Sequence, residues 1–476
     1  MGMRFPLAVV ALLGFTSTVA AAREQSAAAP ADRPARPNLV LFLADDLGFA
    51  DLSATGAPDF ATPHLDALLR SGLHCTAAYS TAPMCAPSRA ALLTGRYQQR
   101  FGFEFNQGQG EHKAANFGLP ADQPTLAERL RAAGYATGMV GKWHLGDQPG
   151  QRPTERGFDE FFGFHDNASQ YDPKLRRPAR QPLHRGTREV TEDDWLMRAC
   201  AREAVDFIAR HAADAGKRPF LLYAAWPAAH VPLQIDPAVA DRVAAIEDPR
   251  RRAYASLVLA LDDAVGAVMA KLAETGLTGD TLVLFLSDNG ALRAPSNGEV
   301  RGGKTSLWEG GIRVPWVVSW PGRLPVGASF AAAVSAIDVV PTFLAAAGVA
   351  VAAAATTDSP VLDGVDLLPH LSGALATPPH QQLFWRTGSR FAVRQGDWKL
   401  VAGVRDAAPA LFNLAADPRE RNDLATEQPA RCAELLRAWE EWNRGNIAPK
   451  WEGKEDLEEE GEGRRPSARE RRDDGG

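Results

Sequence analysis

Asn38-Leu39-Val40-Leu41-Phe42-Leu43-Ala44-Asp45-Asp46-Leu47-Gly48 is the stretch that decides the fold. Its unbroken apolar run predicts a strand buried on both faces, the pattern of a parallel or mixed sheet covered by helices on each side. A second run of the same kind, Leu282-Val283-Leu284-Phe285-Leu286, closes on Asp288-Asn289-Gly290. Ligands of open α/β sheets gather beyond the carboxyl ends of the strands. If the two strands are parallel, Asp45, Asp46, Asp288 and Asn289 meet on one edge and offer hard oxygens only, a donor set suited to Ca²⁺ or Mg²⁺ and not to zinc. Taken singly, each pair also reads as an Asx turn or a cap after a strand. Taken together, several uncompensated acids in one cleft require a cation to coexist, and the expectation is a metal site.

Working outward, the alternation continues. A helix capped by Thr62, with Pro63 in its first turn, runs to Arg70; Thr125 to Ala133 reads as a helix before the apolar run Ala136 to Val140; Phe220 to Ala225 and Val314 to Trp320 read as further strands. The fold class expected is α/β, a large mixed sheet sandwiched by helices. Beyond Leu362 to Pro369 the character changes. Gln382 to Phe391 and Val393 to Val401 predict antiparallel strands with a turn near Gly396-Asp397, and Ala430 to Asn443 predicts a helix ending near Gly445. The division expected is a signal peptide over 1–22, a disordered spacer over 23–37, a catalytic domain over 38–378, a small C-terminal antiparallel-sheet subdomain over 379–449 and a charged disordered tail over 450–476.

The leader reading rests on Arg4, the apolar core Phe5 to Phe15 and the small residues Ala20-Ala21-Ala22. It implies an exported chain, periplasmic, secreted or lumenal, and that core is too short to be a stable membrane anchor. No other stretch is uninterruptedly apolar over about 18 residues. The formal net charge of -6 carries no footprint for nucleic acid. The 4 cysteines, Cys75, Cys85, Cys200 and Cys432, show no C-x-x-C spacing, so the chain is not a disulfide scaffold or a zinc ribbon.

Four further segments carry reactive groups. Cys85-Ala86-Pro87-Ser88-Arg89 puts a cysteine in what reads as the first turn of a helix, with Pro87 suited to the first helical position and Gly95 near the end. Cys85 is a nucleophile candidate there, at the positive end of the helix beside Arg89. Gly141-Lys142-Trp143-His144-Leu145-Gly146 brackets an anion-binding lysine and a proton-exchanging histidine with glycines. His230 is held in a rigid loop between Pro227 and Pro232. Lys304 lies in Arg301 to Gly311, where Gly298 to Thr305 also satisfies the P-loop string; Pro295-Ser296-Asn297 before it and Gly310-Gly311 after it deny the strand–loop–helix context that a P-loop requires.

The pentapeptide C-x-P-S-R from Cys85, with Leu93-Thr94-Gly95-Arg96 after it, resembles the signature of the type I sulfatases. The likeness covers nearly the whole chain after the leader and is similar to the arylsulfatase A and N-acetylgalactosamine-6-sulfatase branch. The resemblance implies an alkaline-phosphatase-like fold with a small C-terminal subdomain carrying Arg394 to Leu400. It implies that Cys85 is oxidised to formylglycine by a maturation enzyme, and that Asp45, Asp46, Asp288 and Asn289, with residue 85, hold Ca²⁺ or alternatively Mg²⁺. It further implies that Lys142 and Lys304 bind sulfate, that His230 touches substrate, and that Arg89 steers a formylglycine hydroxyl onto sulfur. His144 would then take a proton from the second hydroxyl, while His230 or Lys304 would protonate the leaving oxygen. The substrate expected is a sulfated carbohydrate or aryl sulfate ester. The rival readings are a phosphonate monoester or phosphodiester hydrolase of the same superfamily, and a non-catalytic sulfated-glycan-binding homologue. The loops His165 to Arg188, with Lys174, Arg176, Arg177, Arg180 and Arg185, and Val231 to Arg252 are expected to shape the pocket rim.

Overall fold

The computed structural model describes residues 1–2, 36–106, 116–177, 182–213, 218–292, 297–350, 360–403 and 408–451. The expected leader beyond its first two residues, most of the spacer and nearly all of the tail lie outside them, as does Arg180.

A ten-stranded sheet runs in the order Ala328–Phe330, Leu73–Cys75, Trp316–Ser319, Thr281–Ser287, Asn38–Ala44, Phe220–Ala225, Ala136–Lys142, Glu160–Phe164, Leu183–Arg185 and Arg188–Val190. The five from Thr281–Ser287 to Glu160–Phe164 are parallel, and Trp316–Ser319 and Leu183–Arg185 join them antiparallel on either side. Alternation explains the apolar runs. Val40, Phe42, Val283 and Phe285 enter one core with Phe207, Leu257, Leu261 and Val265. Leu39, Leu41, Leu43, Leu282, Leu284 and Leu286 enter another with Leu92, Leu93, Leu126, Leu130 and Phe343. Burying each such side chain is worth roughly 1.5–3 kcal/mol, so both faces of these strands are committed to helices.

Those helices include Leu196–Ala213 and Pro249–Glu274 against the first core, and Cys85–Thr94 and Leu126–Ala132 against the second. Pro249–Glu274 is long and apolar enough to cross a membrane, but most of its apolar stretch is buried inside the fold. Thr125 caps its helix through a hydrogen bond from the Glu128 N–H (3.1 Å), while Glu128 answers at the Thr125 N–H (2.6 Å). Thr62 does not cap with its side chain; its hydroxyl bonds Ser53 and Asp66 instead.

Two boundaries differ from the sequence reading. The Cys85–Thr94 helix begins at Cys85, so Pro87 is its third residue and not its first. The first four helical N–H groups lack intrahelical acceptors, and proline loses nothing there. Gly95, at φ 69°, closes the helix by donating its N–H to Ala91 O. In the C-terminal region, the two expected strands are four: Gln382–Thr387, Arg390–Gln395, Trp398–Ala402 and Ala410–Asn413. Gly388 and Gly396, both at φ 57°, begin two-residue turns that fold the long runs into hairpins. The Pro429–Asn443 helix packs across this sheet through Leu435 and Trp442. The first two tail residues are tied down. Lys450 donates its N–H to Gly102 O, and the Trp451 ring packs on Phe103 and Phe117 at 5.2 and 5.1 Å.

Candidate active site

The parallel register pairs Ala44 with Ser287, Leu43 with Ala225, and Gly141 with Ala225, so three of the strands bearing site residues end level with Asn38–Ala44. Asp45, Asp46, Asp288, Asn289, Lys142, His144 and His230 therefore leave the sheet at one edge. Asp46 and His144 take positive φ, 60° and 58°, immediately past their strands. Such backbone costs about 1–3 kcal/mol and persists where surroundings fix it. Tyr171 fixes the His230 loop by donating its hydroxyl to Pro227 O (2.5 Å) and His230 O (2.8 Å).

The Cys85 helix points its first turn into this edge. Cys85 Sγ lies 3.4 Å from Asp45 Oδ1, 3.9 Å from Asp46 Oδ1 and 3.3 Å from Lys304 Nζ. Arg89, one turn on, donates Nε (3.0 Å) and Nη2 (2.7 Å) to Asp288 Oδ2 and Nη1 to Lys142 O (3.1 Å). Lys142 Nζ donates to Asp45 Oδ2 (2.6 Å) and Asn167 Oδ1 (3.2 Å), and Lys304 Nζ to Asp46 Oδ2 (2.8 Å). Asn289 donates to Asp46 Oδ1 (2.7 Å). Every predicted site residue is thus brought into one buried cluster. His144 is the least engaged, with neither ring nitrogen hydrogen-bonded among the described residues.

One expectation needs correction. The acids are not uncompensated: Arg89, Lys142 and Lys304 stand against Asp45, Asp46 and Asp288, so charge balance alone does not demand a cation. The fit to a metal rests instead on the donors. Asn289 Oδ1 is buried without a partner among the described residues, beside two aspartates and on the side of hard oxygen ligands. Asp45, Asp46, Cys85 and His230 bring ligand-type atoms within 4.8 Å of one another, and His230 was not expected among them; Asp288 is drawn aside into the Arg89 fork.

The electrostatics follow from burial. Burial raises Asp45, but Lys142, His230 and Arg89 outweigh it and hold the carboxyl below its ordinary range. Burial and the Asp45 charge push the Cys85 thiol well above its usual value, outweighing the helix-end effect expected from sequence. Burial pushes His230 down to about 4 and His144 well below 6.5, so both rings rest neutral. The Nδ1 of His230 lies 2.7 Å from the Val231 carbonyl, which can only accept, so Nε2 is the bare nitrogen facing Asp46 at 3.8 Å. Lys304 is pulled up by Asp46 against its burial and keeps its proton.

Asn167 was missed. It follows the Glu160–Phe164 strand, which the sequence reading passed over because Gly163 breaks its apolar run; read as a strand, it would have brought the 165–167 segment to the same edge. The basic rim reading also changes. Arg176 turns inward to the carbonyls of Gln170, Tyr171 and Glu192, and Arg185 lies in a sheet strand, paired with Glu203 and over Phe162.

The sulfatase family pattern matches residues 37–349, and the pattern of the N-sulphoglucosamine sulphohydrolase C-terminal region matches 303–438. This chain belongs to the sulfatase family. N-acetylgalactosamine-6-sulfatase of Canis lupus familiaris is 34% identical to this sulfatase over 448 residues, covering 83% of each chain. Arylsulfatase A of Bos taurus is 34% identical over 474 residues, covering 89% of each. The crystal structure of Ps i-CgsB superposes with a TM-score of 0.82 at 34% identity, covering 87% of the sulfatase and 94% of that chain, and has also been solved in complex with k-i-k-neocarrahexaose. The reaction that this chain catalyses is the hydrolysis of sulfate esters.

Proposed function

We propose that this sulfatase removes sulfate from a sulfated carbohydrate, using formylglycine formed from Cys85 and a divalent cation, Ca²⁺ or alternatively Mg²⁺, held by Asp45, Asp46, Asp288 and Asn289 with residue 85. The carrying observation is the position of Cys85 Sγ, 3.3 Å from Lys304 Nζ and 3.4 Å from Asp45 Oδ1 at the start of a helix. In the matured residue the sulfur is replaced by oxygen, which would stand between a lysine and the metal-binding carboxylates. The suppressed thiolate of Cys85 accords with a residue that does not act as a thiol. Cys85 is fully buried, so conversion by a formylglycine-generating enzyme has to precede folding. The reading of the substrate as carbohydrate is supported by the names of the relatives and by the oligosaccharide held by Ps i-CgsB. Export through the 1–22 leader would bring the enzyme to such a polymer.

The bound cation would supply Lewis-acid polarisation of oxygen. The chain's own groups do the rest. Arg89 fixes Asp288 and the turn that carries residue 85. Lys142 and Lys304 have donors to turn from Asp45 and Asp46 toward the non-bridging oxygens of a sulfate, where fixed donors act strongly in a dry site. His144 and His230, both neutral, are able to take a proton, and Lys304 holds one to give to the departing oxygen.

Fragment mass spectrometry of the tryptic peptide Ser71 to Arg89, with Cys75 as internal control, tests this reading. An aldehyde at residue 85 alone, in protein that turns over aryl sulfate, is the expected result. An unmodified thiol in active protein would refute it.

A further inference from the structure

We infer that Lys399, on the C-terminal sheet, is a positioning residue for the sulfate site, acting through Glu309 on the short helical turn that follows the loop carrying Lys304. This rests on the reading of Lys304 as a sulfate-binding group.

The link runs through a buried network. Lys399 Nζ donates to Glu309 Oε1 at 2.8 Å and lies 2.8 Å from Glu420 Oε1, close enough for an ion pair though off the hydrogen-bond direction. Tyr79 donates its hydroxyl to Glu309 Oε2 (2.8 Å), and the Glu309 N–H donates to Glu420 Oε2 (2.7 Å). Lys399, Glu309 and Glu420 are all at most 1% exposed. Glu420 adopts φ 52°, a left-handed backbone held by this arrangement at a non-glycine residue. Burying three charges for stability alone is a poor use of them, since ion pairs of this kind often do no better than apolar replacements.

What the network grips is the Trp308–Gly311 segment. Trp308 seats its ring edge-on against Phe412 at 5.6 Å, and Glu309 seats on Lys399, so both side chains face the C-terminal sheet. The backbone beyond them faces the active site. A Cβ on Gly310 would stand 2.3 Å from Gly302 O, and one on Gly311 would stand 2.0 Å from Ser306 O, so the Arg301–Ser306 loop lies directly on these glycines. The Gly310 N–H donates to Arg301 O (2.7 Å), Arg301 donates to Glu420 O (3.2 Å), and Arg301 stacks over Trp308 at 3.6 Å. Gly310 O also presses on Gly290, next to Asn289, where a Cβ would come within 1.9 Å. Thr305, with φ 76°, donates its N–H to Pro83 O, two residues before Cys85. Lys304 is thus held from one side by the nucleophile segment and from the other by a bracket whose far end is Lys399. Only a small displacement is needed for an effect, because about 1 Å of misplacement costs on the order of a hundredfold in rate.

The test uses the full-length matured enzyme, with inorganic sulfate as a competitive inhibitor of 4-nitrophenyl sulfate turnover. Lys399→Met alone leaves the buried carboxylates of Glu309 and Glu420 unpaired and endangers folding, so it is combined with Glu309→Gln and Glu420→Gln; Tyr79→Phe removes two hydrogen bonds, the one given to Glu309 and the one taken from Arg394, and no charge. Expected are full conversion of residue 85, a sulfate inhibition constant raised roughly tenfold in the combined variant with kcat lowered by a similar factor, a smaller shift in the same direction in Tyr79→Phe, and partial recovery in Lys399→Arg. Unchanged sulfate inhibition and kcat in a folded, matured combined variant would overturn the inference. If that variant does not fold, unchanged values in Tyr79→Phe overturn it. Lys304→Ala separates the two levels: if it also leaves sulfate inhibition unchanged, the reading of Lys304 itself has failed, whereas a shift there without one in the bracket variants condemns the positioning role alone.

Discussion

Arg89 grips Asp288 with two donors on one oxygen, Nε at 3.0 Å and Nη2 at 2.7 Å from Oδ2, in a place where neither side chain is exposed. Its third nitrogen reaches the Lys142 carbonyl at 3.1 Å, so one planar fork spans two strand ends. A lysine supplies a single charged point and cannot make these contacts together. Arg89→Lys is therefore expected to fold but to lose turnover by about a hundredfold, since the turn carrying residue 85 is no longer fixed. Arg89→Ala leaves the buried carboxylate unpaired and is expected to cost about 3–5 kcal/mol of stability. Calorimetry and kcat on an aryl sulfate check both, and near-normal turnover in Arg89→Lys would show that the fork is dispensable.

Asn289 Oδ1 is buried beside the metal-type cluster without a partner among the described residues, while its amide nitrogen is committed to Asp46 Oδ1 at 2.7 Å. Asn289→Ala would remove the proposed ligand and free Asp46 at once. Titrating chelator-treated protein with Ca²⁺ is expected to show the concentration for half-maximal activity raised roughly 10–100-fold, the scale seen when groups supporting a metal site are lost. The same midpoint in variant and wild type would remove Asn289 from the metal site.

Much of this was legible in the chain because the strands that carry it are apolar on both faces. Leu39 to Leu43 and Leu282 to Leu286 leave no doubt about which residues are buried, and the acids that follow fall on the carboxyl edge once the strands are parallel. Sequence could not show what those acids would meet. Arg89, Lys142 and Lys304 come from a helix, another strand and a loop, and only the fold reveals that they balance the carboxylates. Asn167 was hidden by the glycine in the strand that precedes it. The turn near Gly396-Asp397 was expected, but the first C-terminal hairpin was hidden by Gly388, whose turn is short enough to be read as continuous strand. Lys399 stood within the family-like Arg394 to Leu400 segment, but nothing local gave it a role, since its partners Glu309 and Glu420 lie far from it in the chain.

Asn167 accepts a hydrogen bond from Lys142 Nζ at 3.2 Å, opposite Asp45 Oδ2 at 2.6 Å, and so sets the direction in which the ammonium points. A hydrogen bond to a charged group is worth about 1.5–3 kcal/mol, which places the expected loss in kcat/KM for Asn167→Ala between roughly tenfold and a hundredfold. The loss should fall mainly on KM if Lys142 grips the sulfate in the ground state. Steady-state kinetics on an aryl sulfate decide it, and unaltered KM and kcat would mean that Lys142 needs no second partner.

His380 Nε2 lies 2.8 Å from both carboxylate oxygens of Asp338, which also accept the N–H groups of Ser335 and Val365. The contact ties the entry to the C-terminal sheet onto the body of the enzyme, and neither residue is in the metal-type cluster. Burial alone would lower the histidine, but Asp338 outweighs it and raises the folded-state pKa above 6.5. The folded protein then binds this proton more tightly than the unfolded chain does. The stabilisation is fully present below about pH 6.5, the unfolded value, and is lost as pH rises through the folded one. His380→Gln is accordingly expected to melt below wild type at about pH 6 by an amount that shrinks toward about pH 9, while kcat at each pH follows wild type. Melting curves of both proteins across that range are the check, and a gap that stays constant or widens with pH would show that the pair is not a charged one.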